Sequence, residues 1–374
     1  MKIGLNATCY NDRPSGAKQR FLGIYRELVR RLPESEFVIY EPIDCRVGSW
    51  FGDAPNVSVK RTPIHSEGRT RKIVDGYRYW GSALRDESFD IFERFNLPIV
   101  RSATARVVQT IHDIRGLQLG HGKLRQLAYK ALVGRSLRAA DHVVTVSEAM
   151  KSEILGVYPD ISISVIYNGY AGEYIAPVDA ELEAFRKKFF LPTEFVLAVG
   201  HFEKRKNYQR LIEAMALLRD RGRNSPLVII GNDSGEKKAV EAEVEAAKLG
   251  SSVKLLSGLT DSEVCCAYRM CRLFVFPSLY EGFGIPVLEA MAARCPMVLS
   301  DIPVFREITQ SQGVYFRPGH VEEMASAIDH ALSTPSERAR CIEYGDERIK
   351  TFSYRSLAIQ VERLYEVLTG SKIR

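Results

Sequence analysis

LFVFPSLYEGFGIPVLEAMAARCPMVLSD, residues 273–301, decides how this chain is read. It opens on a short apolar strand, passes through a Gly-rich turn, enters a helix near Ile285 and ends on a second apolar strand. Pro286 suits the first turn of that helix, where a missing N–H costs nothing. Gly282 and Gly284 flank Phe283, so the backbone there can approach a ligand closely. The helix start offers unpaired N–H groups and a positive dipole end. Glu281 lies in the turn and Glu289 about one turn into the helix, eight residues on. Amides for an anion and carboxylates for hydroxyls suit a ligand with both kinds of group, such as a nucleotide or a sugar phosphate.

Outward from this stretch, strand and helix patterns alternate. In the first half, strands are expected at 2–7, 37–41, 57–61, 90–95, 106–112, 142–147 and 164–167, with helices at 16–31, 69–85, 123–139 and 148–156. The helix at 123–139 carries apolar positions Leu124, Leu127, Ala128, Ala131, Leu132 and Leu137. The pattern loosens between Ala171 and Leu191, where Pro177, an acidic stretch and Pro192 mark a linker and its flanking helix. It then restarts, with strands at 195–199, 227–230, 253–256, 273–276, 297–300 and 314–316. Alternation of this kind predicts parallel α/β sheets. The expectation is two doubly wound sheets facing a central cleft at their C-terminal strand edges, where ligands of open α/β sheets bind.

A chain of 374 residues exceeds one ordinary core, which agrees with two domains. Hydrophobic content of 45% and charged content of 26% place it among globular proteins. The seven cysteines are scattered, without a CxxC pair, and read as buried thiols in a reducing compartment rather than as a zinc site. The opening MKIGLNA reads as a strand, not a signal peptide. No apolar run approaches the roughly 20 residues that span a bilayer, so any membrane contact is expected to be peripheral. The net charge of +6 is mild, but residues 114–140 hold six basic side chains and no acidic one. A second basic run holds Arg61, Arg69, Arg71, Lys72 and Arg78. Nucleic acid is not expected as a partner, since no recognition motif accompanies this charge. Neither half carries GxGxxG after its first strand, nor a Walker loop, which disfavours dinucleotide binding and ATP hydrolysis.

These residues carry a resemblance. PSLYEGFGIPVLEAMA, with Glu281 and Glu289 in an E-x7-E arrangement, resembles the retaining glycosyltransferases of family 4, which have the GT-B fold. The match runs along the chain: SG ending at Gly16, TIHD ending at Asp113, VTVSE ending at Glu148, YNG ending at Gly169, VGHFEKRKN ending at Asn207 and LSDIPVFRE ending at Glu307. The members most similar in pattern make bacterial surface polysaccharide and lipopolysaccharide, and are mannosyltransferase-like.

The resemblance implies an N-terminal, acceptor-side Rossmann-like domain over 1–175 and a nucleotide-sugar-binding one over 176–352. A C-terminal helix at about 353–374 would pack back on the first. It implies that Glu289 accepts from ribose hydroxyls and Glu281 from donor-sugar hydroxyls, with backbone amides from Gly282, Phe283 and Gly284. Arg205 and Lys206 would neutralise the diphosphate, Gly16 would bring the N-terminal loop to it, and His112 would touch the transferred sugar. It implies no metal, and no Asp-x-Asp is present. Many members place Arg where this chain has His201, and Arg205 is expected to replace it. The implied protein is a cytoplasmic hexosyltransferase, peripheral on the inner face of the plasma membrane. It would use a nucleotide-diphosphate sugar, GDP-mannose by resemblance, and a glycan or lipid-linked acceptor. Apart from the resemblance, the basic helix itself is read as meeting anionic lipid, a membrane surface reached through Lys123–Arg138, or a lipid-linked diphosphate acceptor.

Plainer readings stand beside these. A Glu at a helix start can be a dipole complement, 204–206 a solvated charge run, His112 a core histidine, Ser147 an N-cap and Asn168-Gly169 a turn. The basic helix can be an ordinary solvated face. A sugar-nucleotide 2-epimerase shares the two-sheet architecture, and a catalytically silent scaffold is the non-enzyme alternative.

Overall fold

The computed structural model describes residues 1–13, 15–85, 87–95, 102, 104–117, 123–170 and 177–371. It forms two compact units, residues 1–170 with 353–374, and residues 171–352.

The first unit has seven parallel strands, β1 (Lys2–Asn6), β2 (Glu36–Glu41), β3 (Val57–Arg61), β4 (Ile91–Arg94), β5 (Arg106–Ile111), β6 (His142–Thr145) and β7 (Ile163–Val165), in the order β3-β2-β1-β4-β5-β6-β7. Its crossovers are α1 (Gly16–Arg31), α2 (Arg69–Ala83), α3 (Lys123–Arg138) and α4 (Glu148–Val157). The strand order reverses between β1 and β4, which opens a crevice at their carboxyl ends. The core above β1 is aromatic and aliphatic, with Ile3, Leu5, Phe21, Tyr25, Phe37 and Ile39 buried.

The second unit runs α5 (Asp179–Phe189), β8 (Val196–Val199), α6 (Tyr208–Asp220), β9 (Leu227–Ile230), α7 (Lys237–Ala246), β10 (Val253–Leu256), α8 (Asp261–Met270), β11 (Leu273–Phe276), α9 (Ile285–Ala292), β12 (Met297–Ser300), α10 (Pro303–Ile308), β13 (Val314–Phe316), α11 (Val321–Ser333) and α12 (Pro335–Arg348). Its six parallel strands lie in the order β10-β9-β8-β11-β12-β13. Leu273 and Phe274 of β11 pair with Val196 and Leu197 of β8, so the loops leaving those two strands are neighbours. The last helix, α13 (Tyr354–Thr369), belongs to the first unit. There Glu362 binds Arg31 at 2.7 Å, and the Tyr365 hydroxyl donates to the buried Glu93 carboxylate.

Differences from the sequence reading are local. The strand expected at 142–147 ends at Thr145, because the Ser147 hydroxyl caps α4 by accepting from Met150 N–H at 3.0 Å. Helix α10 was not foreseen; Pro303 sits in its first turn, where its fixed φ costs nothing. In α3 the described buried side chains include Val133 and Leu137, while Leu124 is 83% and Leu127 63% exposed. All seven cysteines are free and five are buried, but Cys9 and Cys341 are only half-buried. Among the described residues no helix is long and apolar enough to cross a membrane.

Candidate functional site

The site of the second unit is assembled by the neighbourhood of β8 and β11. The chain leaving β8 passes Gly200, whose φ of +145° suits a residue without a side chain. A Cβ there would lie 2.8 Å from Cε of Lys206, so the glycine leaves room for the lysine. Residues Lys204–Lys206 form a single 3-10 turn. The chain leaving β11 meets it directly: Leu279 N–H donates to the Arg205 carbonyl at 2.8 Å, and the Arg205 guanidinium donates to the Tyr280 carbonyl at 3.2 Å.

Four charged side chains close together there. Lys206 Nζ donates to Glu281 Oε1 at 2.8 Å. Arg205 Nη1 lies 2.5 Å from the same oxygen, and Arg205 Nε pairs with Glu203 at 2.6 Å. The Ser278 hydroxyl also donates to Glu281 Oε1, at 2.8 Å. The Lys206 ammonium stands 4.5 Å from the centroid of the Phe276 ring, a cation–π contact on its apolar side. Burial alone would push the Glu281 carboxyl up, but Lys206 and Arg205 hold it down at about 2. Burial pulls the Lys206 ammonium below the usual lysine range, and the Glu281 charge opposes that pull. Burial likewise opposes the Arg205 charge, yet Glu281 and Glu203 more than restore it.

The hydrogen bonds that hold the Glu281 side chain end on Oε1, which leaves Oε2 without a hydrogen-bond donor among the described residues. Glu289, on α9, shows the same half-occupancy. Its Oε2 accepts from the Tyr268 hydroxyl at 3.0 Å, and Oε1 has no donor among the described residues. Burial pushes the Glu289 carboxyl up to about 7, against the lowering effect of the Tyr268 bond. The intervening turn places Phe283 in the core, edge-on to Phe352 at 6.0 Å, so Phe283 presents backbone rather than side chain. Gly284 is the N-cap of α9 at φ +119° and, as a glycine, offers that helix end no side-chain cap. A larger cavity of about 550 Å³ opens at the amino ends of β8 and β9, the opposite edge of the sheet. Its Arg272 is already paired with Glu194 at 2.5 Å, and it has no part in the site.

His112 and Gly16 belong to the first unit. His112 follows β5, and Gly16 is the first residue of α1, which Ser15 caps by accepting from Lys18 N–H at 3.2 Å. A cavity of about 220 Å³ lies at the β1–β4 crevice, lined by Tyr10, Asn11, Ser15, Phe95 and His112 among others. Burial, then the nearby Arg20 charge, lowers the His112 imidazole to about 3, so the ring is neutral at physiological pH.

Glu203, Ser278, Phe276 and Tyr268 were not singled out from the sequence. Glu203 had a signal, since it lies two residues before Arg205 in the same loop. The other three read as strand, turn and helix-face residues. His201 stands where many members of the family place Arg, and its Nδ1 is buried with no hydrogen-bond partner among the described residues. Among the described residues no group of three or more His, Cys, Asp or Glu is placed to hold a metal ion.

Comparison with known proteins bears on the family and the fold. Residues 15–171 match the Glycosyltransferase Family 4 model, and residues 179–348 match Glycosyl transferases group 1. The chain is 30% identical to O-antigen chain mannosyltransferase B of Escherichia coli over 294 residues, 76% of each chain. It is 29% identical to O-antigen chain mannosyltransferase RfbU of Salmonella typhimurium over 66% of each chain. Among solved structures, sucrose-phosphate synthase from Thermosynechococcus elongatus superposes with a TM-score of 0.76 at 18% identity, covering 99% of both chains. Two parallel α/β units in this order, both halves matched by family models, and a relative similar over three quarters of its length lead to one conclusion: the chain belongs to glycosyltransferase family 4 and has the GT-B fold.

Proposed function

We propose that this glycosyltransferase is a retaining hexosyltransferase. It moves mannose from GDP-mannose to a hydroxyl of a glycan or lipid-linked acceptor in surface-polysaccharide or lipopolysaccharide synthesis. The observation that carries the reading is the pair of carboxylates, Glu281 and Glu289, each pinned through one oxygen and open at the other. An ionised carboxylate oxygen is a strong acceptor for a hydroxyl. Glu281 takes hydroxyls of the donor sugar and Glu289 those of the ribose. Arg205 and Lys206, held in place by Glu203 and Glu281, meet the diphosphate together with the amides of Gly282, Phe283 and Gly284 and the positive end of α9. The second unit is then the donor side and the first the acceptor side, with His112 contributing from the crevice of its sheet and Gly16 from the start of α1.

Retention places the leaving and attacking oxygens on one face of the sugar. The diphosphate gains charge as it leaves, the two cations stabilise that charge, and its oxygen takes the acceptor's proton. Catalysis is then mainly positioning and electrostatics. The neutral His112 serves as a hydrogen-bonding group toward the transferred sugar. The likeness to two O-antigen chain mannosyltransferases supports mannose and a surface glycan. Leu124 and Leu127, exposed beside Lys130 and Arg135, support a peripheral contact of α3 with anionic lipid on the inner face of the plasma membrane.

Thermal unfolding with GDP-, UDP-, ADP- and dTDP-sugars tests the donor. A ligand at a hundred times its Kd stabilises by about 2.7 kcal/mol, and GDP-mannose is expected to give the largest shift. A larger shift with another nucleotide sugar overturns the donor. An inverted anomeric configuration in the product, read by NMR, overturns retention, and release of a free epimerised nucleotide sugar overturns transfer itself.

A further inference from the structure

Tyr268 lies near the end of α8 and is 1% exposed. Its ring packs edge-on against Phe274 of β11, with centroids 5.3 Å apart. Helix α8 is fixed at its start by a capping box, in which Glu263 N–H donates to Thr260 Oγ1 at 3.3 Å and Thr260 N–H to Glu263 Oε2 at 2.8 Å. The enclosed ring holds its hydroxyl beside α9, where it donates to Oε2 of Glu289 at 3.0 Å.

We propose that Tyr268 is a positioning residue for nucleotide recognition: it pins Oε2 of Glu289 and so turns Oε1 toward the vicinal hydroxyls of a ribose. The proposal rests on Glu289 as the ribose acceptor. A glutamate one turn into a helix has three rotatable bonds, and an unpinned carboxylate would lose entropy on meeting two hydroxyls. The tyrosine removes part of that cost in advance, as partner residues do when they orient the ligands of a functional group.

The groups that face Glu289 set how its carboxylate titrates. From α8 these are Tyr268, Asp261 and the Cys265 thiol, itself pushed up to about 12 by burial; from the loop after β8 it is Lys206. Burial and Asp261 favour the protonated carboxyl, while the Tyr268 bond and Lys206 favour the carboxylate. A protonated carboxyl is the weaker acceptor, so ribose recognition weakens as pH falls through about 7. Removing the phenol hydroxyl moves that midpoint to higher pH.

The test uses the full chain with GDP and with UDP, each beside its 2′,3′-dideoxy analogue, and follows Kd by calorimetry from pH 6 to 9. Tyr268→Phe keeps the ring in the core and removes only the hydroxyl. It is expected to weaken the better-binding nucleotide about three- to tenfold at neutral pH, the worth of one hydrogen bond. It should leave the dideoxy analogue unchanged and shift the pH midpoint upward. Glu289→Gln should abolish both the preference for the ribose diol and the pH dependence, and the double variant should bind no worse than Glu289→Gln alone. Equal weakening of ribo- and dideoxynucleotide by Tyr268→Phe, an unmoved midpoint, or additive effects in the double variant overturn the positioning role. If Glu289→Gln keeps the full diol preference, or neither nucleotide binds, the ribose assignment of Glu289 falls instead, and the Tyr268 proposal falls with it.

Discussion

Lys206 Nζ donates to Glu281 Oε1 at 2.8 Å across 75 residues of chain. The lysine side chain is 6% and the glutamate side chain 10% exposed, so neither charge is offset by bulk water. Glu281 also separates Lys206 from Arg205, and that neighbour lowers the lysine pKa further. Glu281→Gln therefore leaves two cations facing each other, while Lys206→Met leaves Glu281 still paired with Arg205. The glutamate substitution is expected to cost about 3–5 kcal/mol and the lysine substitution less. The double variant should be better than the sum by about 1 kcal/mol or more. Urea unfolding of the four proteins measures this; strict additivity would show that the pair does not couple. Transfer activity is expected to be lost in both single variants.

The same pair sets an acid limit. Glu281 is held at about 2, against an ordinary 4.5, so its stabilisation is present above about pH 4.5 and is lost as pH falls through about 2. Glu281→Gln cannot titrate there. The wild-type advantage over this variant should shrink between those values, and a constant difference would contradict the pairing.

His112 gives a second window. Its imidazole sits at about 3 in the folded chain against 6.5 when unperturbed. The unfolded chain takes up that proton first as pH falls, so stability contributed by the neutral ring is full above 6.5 and drains away toward 3. His112→Gln removes the titration, and its Tm should therefore fall less than the wild-type Tm between pH 6.5 and 4. Parallel Tm curves would mean that the ring is hydrated and titrates normally.

Much of this was legible because it is written locally. Apolar runs, Gly and Pro punctuation and N-cap residues mark the strands and helices one at a time, and residues 273–301 carry strand, turn and helix in a single stretch. The ion cluster is not local. Arg205 and Lys206 meet Glu281 only because β8 and β11 are adjacent, which is a fact of sheet order. From sequence, Glu281 and the cations read as separate clamps, whereas the fold joins them on one carboxylate oxygen. Tyr268, within DSEVCCAYRM, looks like any core-facing residue of α8, since nothing in that helix announces the carboxylate of α9 above it. The exposure of the apolar positions of α3 is hidden from the sequence for a related reason. Spacing shows where a leucine lies on the helix but not whether a sheet is beneath it, and Leu124 and Leu127 meet solvent.

Those leucines carry the membrane prediction. Lys130 and Arg135 are exposed on α3, while Arg138 is engaged with Asp160 at 2.8 Å. A basic side chain near an anionic surface contributes about 1 kcal/mol. Lys130→Glu with Arg135→Glu is expected to weaken sedimentation with phosphatidylglycerol vesicles about tenfold or more, more at low salt than at high salt. Unchanged sedimentation, or equal binding to neutral phosphatidylcholine, would remove the lipid contact from this helix.

Gly284 ties the turn before α9 to the ion cluster through the core. Its φ of +119° is strained for any residue with a Cβ, at about 1–3 kcal/mol. An added Cβ would lie 2.8 Å from the Phe305 ring. Phe305 is fully buried and stacks on Phe276 at 5.0 Å, and Phe276 in turn lies under the Lys206 ammonium. A displaced Phe305 therefore pushes on the ring that supports the lysine. Gly284→Ala is expected to lose about 2–4 kcal/mol of stability and to weaken GDP binding as well, although residue 284 contributes only backbone. Phe305→Leu in the same chain should relieve the steric part and restore some of the binding, while the backbone part of the cost persists. Wild-type stability in Gly284→Ala would show that the turn relaxes freely. Lost stability with unchanged GDP affinity would break the link from Gly284 through Phe305 and Phe276 to Lys206.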